Sequence, residues 1–180
     1  LFKKNKFDLI PIIDKNGFLK DILFWDAIIE KDLQKKDSLN SVPVVIMAGG
    51  KGTRLEPFTK VLPKPLIPIH GKPIIQHIME SFAVIGTTEF TLTVNYKANI
   101  LKAFLEELES EFSVKFVEEK KPLGTAGSLQ LLKNKLKTPF FVTNCDIIVK
   151  VDYLGLYNFH LKGNYDITLV ASAKEFVIPY

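Results

Sequence analysis

The sequence predicts an α/β fold built on a mostly parallel sheet sandwiched by helices. From residue 42 onward, apolar runs of strand length alternate with segments of helical periodicity. The first of those runs, residues 42–47, is continuously apolar, as a strand buried on both faces requires. Glycine and proline then crowd into a single long stretch, residues 48–73, which reads as a loop at the C-terminal end of that strand. Open parallel sheets bind ligands beyond the C-terminal ends of their strands.

Taken in order, residues 9–13 form a short apolar run that predicts a strand. Asp14-Lys15-Asn16-Gly17 predicts a turn, because Asn-Gly tolerates positive φ, and residues 18–24 return as a second strand. Asp26 is placed to cap a short helix carrying Ile28, Ile29 and Leu33. Residues 31–41 are polar and charged and read as the end of that helix plus a linker, with a domain boundary near 38–41. After the 42–47 strand and the 48–73 loop, residues 73–84 predict a helix with proline in its first turn. Residues 90–94 predict a strand. In residues 98–108, Ile100, Leu101, Phe104, Leu105 and Leu108 make one helical stripe. Strands are predicted at 114–117, 139–143 and 167–171, and helices at 125–132 and 153–161. The loops that then face a ligand are 48–73, 95–98, 118–125 and 144–152.

Composition narrows the function classes. A formal net charge of +4 with lysines spread along the chain does not suggest nucleic-acid binding, while a mild positive bias suits anionic small molecules. A single cysteine, Cys145, provides no disulfide framework and fits a reducing cytoplasm. No apolar run approaches the roughly 18 residues that span a bilayer, and no signal-peptide core follows the N-terminal lysines. The absence of an initial Met and the apolar run at the other end predict a window on a longer protein.

Three segments carry chemistry. In Val44-Val45-Ile46-Met47-Ala48-Gly49-Gly50-Lys51-Gly52-Thr53-Arg54-Leu55, a buried strand runs into three glycines within four residues. Glycine lets backbone N–H groups approach an anion with no Cβ in the way. No Gly-Lys-Ser/Thr follows a four-residue spacer, so this is not a Walker A loop. The third glycine of a dinucleotide fingerprint would fall at Leu55, so it is not that either. The motif continues through Pro57 and Thr59 to Pro63-Lys64-Pro65. The second segment, Phe140-Phe141-Val142-Thr143-Asn144-Cys145-Asp146, is an apolar strand ending in an aspartate. Strand ends of this kind favour a Mg²⁺ ligand or, more simply, a helix cap. The third is Glu118-Glu119-Lys120-Lys121-Pro122-Leu123-Gly124-Thr125-Ala126-Gly127, a charged turn leading into a helix N-terminus. Cys145 reads as a small buried residue. His70, His77 and His160 show no metal spacing.

The pattern G-G-x-G-T-R-L-x-P-x-T-x-x-x-P-K-P from Gly49 to Pro65 resembles the signature of the sugar-phosphate nucleotidylyltransferases. Leu123-Gly124-Thr125-Ala126-Gly127 resembles the second nucleotide loop of that family, and Asp146 matches its metal-binding aspartate, with Cys145 where a glycine is usual. The resemblance spans residues 43–180 and implies a Rossmann-like sheet of the nucleotide-diphospho-sugar transferase type. It implies Mg²⁺-dependent transfer of a nucleotidyl group from an NTP to a sugar 1-phosphate such as mannose or glucosamine 1-phosphate, with release of pyrophosphate, in the making of surface-glycan precursors. Arg54 and Lys64 are the implied catalytic residues; Ala48, Gly49, Gly50, Gly52, Thr53, Glu119, Gly124 and Thr125 the implied nucleotide-binding residues; and Asp146 the implied Mg²⁺ ligand. Glu119 stands five residues before Gly124, where the family contacts the base. A carboxylate accepts from the adjacent N1–H and N2–H₂ of guanine, so GTP is favoured over UTP or dTTP. Strand alternation leaves Glu118 as the other inward-facing choice. Asn95-Tyr96 matches a frequent family pair near the nucleotide and is equally a strand-end turn. A regulatory protein that keeps the nucleotide loop without turnover, or a UTP- or dTTP-using enzyme, are the alternatives.

Pro11-Ile12-Ile13-Asp14-Lys15-Asn16-Gly17-Phe18-Leu19-Lys20-Asp21-Ile22-Leu23 resembles the second half of a cystathionine-β-synthase-type (CBS) module. An α+β fragment over residues 1–38, followed by the transferase from 42, is the implied organisation. Asp21 stands where the module has glycine, and Phe24-Trp25-Asp26 does not give the usual ribose-binding register. Docking or formation of a homo-oligomer therefore stands beside adenine-nucleotide binding as its role.

Overall fold

The computed structural model describes residues 9–24, 39, 42–108 and 110–172. The chain divides into two compact units, Leu1–Val149 and Lys150–Tyr180, which are taken separately. In the first, β1 (Leu9–Ile13) and β2 (Leu19–Phe24) form an antiparallel hairpin. Its turn is closed by Asp14, whose Oδ1 accepts from the backbone N–H groups of Asn16 and Phe18 at 2.8 and 2.9 Å. Gly17 takes φ +86°, the freedom that Asn-Gly was expected to supply. The helix expected after Asp26 lies outside the described residues.

The sheet that matters for function has four parallel strands in the order β7-β6-β3-β8: β3 (Val44–Ala48), β6 (Glu89–Val94), β7 (Ser113–Glu118) and β8 (Phe141–Asn144). β3 is central, and Val44, Val45 and Ile46 are buried in succession, which is why its sequence is continuously apolar. Leu92, Thr93 and Val94 of β6 are likewise buried, whereas the edge strand β7 is only part-buried.

Between β3 and β6 the expected long loop contains short elements: α1 (Phe58–Val61), a tiny hairpin of β4 (Pro68–Ile69) and β5 (Lys72–Pro73), and the helix α2 (Ile74–Ala83). Pro73 sits at the N-cap of α2, where its missing N–H costs nothing. Ile74, Ile75, Ile78, Met79 and Phe82 form the buried face of α2. Phe82 packs against the rings of Phe90 and Phe141, with centroids 6.4 and 5.4 Å away. Both of those residues pair with Val44 in register.

Leu39, expected in the linker, is buried instead: its N–H donates to Ile85 O at 2.9 Å and its carbonyl accepts from Thr87 Oγ1 at 3.4 Å. The α/β packing thus begins before β3.

Helix α3 (Ala98–Glu107) buries Leu101 and Leu105, while Ile100 is exposed, so its apolar stripe is narrower than expected. The segment expected as a helix at 125–132 is a 3-10 helix over Gly127–Leu132. Gly124 and Gly127 weaken an α-helical start, and a one-and-a-half-turn segment gains little from α-type bonding.

In the second unit, α4 (Tyr153–Lys162) is capped by Asp152, whose Oδ1 accepts from Gly155 N at 2.8 Å. The strand expected at 167–171 is not formed. Residues 167–172 join no ladder among the described residues, and Ile167, Leu169 and Val170 are exposed. An apolar run becomes a strand only when a neighbour pairs with it. No helix among the described residues is long and apolar enough to cross a membrane.

Candidate active site

The loops at the C-terminal ends of β3, β7 and β8 line one cleft of about 460 Å³, a size that suits a small-molecule ligand. Gly49, Gly50, Gly52, Thr53, Arg54, Lys64, Glu119, Gly124, Thr125 and Asp146 all line it. Ala48 does not: it ends β3 paired with Val94, and its side chain is buried in the core.

Gly52 takes φ +69° and starts a 3-10 turn over Thr53–Leu55, which leaves Arg54 exposed at the rim. A Cβ on Gly52 would lie 2.9 Å from Thr59 Cγ2 and 3.2 Å from Lys64 Cβ. Thr59 is buried, and its Oγ1 donates to Gly52 O at 3.0 Å. The loop therefore folds back on itself and brings Lys64 against the glycine turn. Pro63 and Pro65, both buried, hold the Lys64 backbone from either side. Lys64 Nζ then pairs with Asp146 Oδ2 at 2.5 Å, joining two residues far apart in the chain across the cleft. Asp146 reaches this place because Cys145 N–H continues the β8 ladder to Met47 O at 3.2 Å.

On the other side of the cleft, strand alternation separates the two glutamates. Glu118 points out and pairs with Lys102, whose Nζ also lies 5.7 Å over the Phe116 ring. Glu119 is 8% exposed and faces the cleft. Its Oε2 accepts from Leu123 N at 3.1 Å, closing the turn that leads to Gly124. A Cβ on Gly49 would lie 2.5 Å from Glu119 Oε1, so the first loop glycine is also what makes room for this carboxylate. Gly124 takes φ +81°.

Sequence reasoning did not single out Thr59 or Ser128. Thr59 is the buried anchor of the glycine loop. Ser128, at the cleft, accepts from Thr93 Oγ1 at 3.1 Å. Thr59 was visible only as one letter of the motif; Ser128 had no signal beyond its place after the second glycine loop.

Cys145 is buried, as expected. Burial first, and then the neighbouring Asp146 charge, push its thiol from the ordinary 9.0 up to about 12, against a smaller opposing effect of Lys64. The folded state thus holds a proton that the unfolded chain releases. Stability is therefore unaffected by this group below about pH 9 and falls as pH rises from about 9 to about 12. Alkylation by iodoacetamide at pH 8 is expected to be slow in the folded protein and complete in urea, measured by mass spectrometry.

Comparison with known proteins gives a consistent picture. The nucleotidyl transferase family model matches residues 43–176. Mannose-1-phosphate guanyltransferase of Yarrowia lipolytica is 42% identical over 136 residues, covering 73% of this chain and 38% of that protein. The Candida albicans protein of the same name is 41% identical with the same coverage. The chain therefore spans well under half the length of these curated relatives. Among solved structures, HddC from Yersinia pseudotuberculosis complexed with GMP-PN has a TM-score of 0.59 at 33% identity, covering 67% of this chain and 54% of that one. With its glycine loop, its Pro-Lys-Pro segment and its strand-end aspartate gathered on one cleft, the chain belongs to the nucleotidyl transferase family.

Proposed function

We propose that the protein transfers a nucleotidyl group from an NTP, with GTP favoured, to a sugar 1-phosphate. A phosphate oxygen of the sugar 1-phosphate attacks the α-phosphorus, the α–β bridging bond breaks, and pyrophosphate leaves. The observation that carries this reading is the gathering of Arg54, Lys64, Asp146 and the Gly49–Gly52 loop on one cleft. Such a reaction asks for alignment and charge neutralisation of two polyanions rather than covalent work by the protein. Arg54 offers a planar fork to the outer phosphates, and Lys64 a point charge beside the reacting one.

Asp146 fits as a Mg²⁺ ligand. It is an exposed carboxylate at a strand end, and no group of three or more ligating side chains surrounds it among the described residues. Mg²⁺ is commonly held by one or two carboxylates with substrate phosphates completing the shell. When bound, the ion would supply further neutralisation of phosphate charge.

Two features favour GTP: the buried, cleft-facing Glu119, and the guanyltransferase names of the relatives. Glucosamine and mannose 1-phosphate are the acceptors proposed, for nucleotide-sugar precursors of surface glycans made in the cytoplasm. Residues 1–38 are proposed as part of a CBS-like module that docks or dimerises.

Pyrophosphate release by the full-length protein, screened over four NTPs and several sugar 1-phosphates with Mg²⁺, tests the reading. Release is expected with GTP and one or more sugar 1-phosphates. No release with any pair would sink the enzymatic proposal, and a preference for UTP or dTTP would sink the role given to Glu119.

A further inference from the structure

Three loops form the cleft, and a fourth, at the end of β6, lies behind them. Asn95, Tyr96 and Lys97 make up this loop, and none of them lines the cleft. Asn95 Nδ2 donates to Glu119 O at 2.6 Å. Tyr96 OH donates to Thr59 O at 3.2 Å, and Tyr96 N makes a long contact of 3.5 Å to Gly49 O. Lys97, turned through a left-handed φ of 53° into α3, donates from Nζ to Lys60 O and lies 5.3 Å over the Tyr96 ring. The phosphate-side loop and the base-side loop are thus each tied to this loop, by different side chains.

We propose that Asn95 and Tyr96 are positioning residues with separable duties: Asn95 holds the base-side loop through Glu119, and Tyr96 holds the phosphate-side loop through Thr59. This rests on the nucleotide reading given above. Thr59 passes the constraint on, because its hydroxyl donates to Gly52 O and its methyl, like Lys64 Cβ, borders the space beside Gly52. Tyr96 therefore acts on the part of the cleft that every NTP shares. Asn95 acts on the backbone carrying the carboxylate that faces the base. A neutral hydrogen bond of this kind is worth about 1 kcal/mol, which corresponds to roughly a fivefold effect.

The test compares wild type, Asn95→Ala and Tyr96→Phe in kcat/KM for GTP and for UTP with one sugar 1-phosphate. Thermal melts establish that each variant is folded. Asn95→Ala keeps the Cβ that sits near Gly49, and Tyr96→Phe keeps the ring under Lys97. Should Asn95→Ala fail to fold, Asn95→Ser takes its place. Tyr96→Phe is expected to lower kcat/KM for both nucleotides by the same factor, roughly three- to tenfold, leaving their ratio unchanged. Asn95→Ala is expected to lower the GTP:UTP ratio by a similar factor. An Asn95 variant that leaves the ratio unmoved, or a Tyr96 variant that changes it, overturns the assignment while leaving the proposed activity standing. If wild type shows no turnover, the activity fails first. The same split is then read from Kd values for GTP and UTP by calorimetry, and absence of that split, or of nucleotide binding, overturns the positioning roles as well.

Discussion

Replacing Asp146 with Asn is expected to cut pyrophosphate release by at least ~10²-fold, the scale on which preorganised charge is lost from an active site. Asn keeps the shape of the side chain and one oxygen, but removes the charge that pairs with Lys64 and would hold Mg²⁺. Arg54→Ala is expected to fall in the same range through lost grip on the outer phosphates. Neither change should disturb the fold. Arg54 and Asp146 are both exposed, and ion pairs open to solvent add little to stability. The measurement is steady-state pyrophosphate release beside a thermal melt. Near-wild-type rates in Asp146→Asn would remove this residue from the chemistry, and a large drop in melting temperature would mean its role is structural.

Gly52→Ala carries the second large effect, and it acts on fold and function together. The new Cβ must occupy a left-handed φ of +69° and must also sit 2.9 Å from Thr59 Cγ2 and 3.2 Å from Lys64 Cβ. The first requirement costs roughly 1–2 kcal/mol, and crowding in a packed site adds about 1–3 kcal/mol. Thr59 is buried and bonded back to Gly52 O, so relief comes by moving Lys64. A displacement of about 1 Å at a group that positions the reacting phosphate costs on the order of 10²-fold in rate. Urea denaturation and turnover should therefore both fall, whereas Gly50→Ala, with open space around its Cβ position and no positive φ, should leave stability nearly unchanged. Equal stability of the two variants would refute this account of the loop.

The sequence showed the parts of the molecule whose physics is local. β3 was legible because a strand buried on both faces must be apolar without alternation, and α2 because its buried face repeats at helical spacing. The glycine loop was legible as a tight turn at a strand end, and its motif named the family. What stayed hidden depends on partners distant in the chain. Period-two alternation separates Glu118 from Glu119 but does not say which one faces inward; the ladder to β6 and the pull of Lys102 decide it. The family resemblance placed Lys64 and Asp146 in one site, but their pairing appears only in the folded chain. Residues 167–171 had the composition of a strand, yet composition cannot supply the neighbour that makes one. Leu39 looked like linker because its flanks are polar, and one buried leucine is too short a signal to reverse that. Asn95 and Tyr96 read equally as a simple turn, since their value lies in what they reach across to.

Phe82 bears on all of this from the opposite end of the sheet. Its ring contacts one aromatic residue from each strand flanking β3, at the level of Val44. The candidate site lies toward the other ends of these strands, about 13 Å further along at the usual rise per residue. The three strands, laddered together along their length, therefore share an aromatic seam at one end. From those far ends the chain leaves as the loops that carry Gly49, Asn95 and Asp146, so one end of the sheet is closed by packed rings and the other is given over to loops.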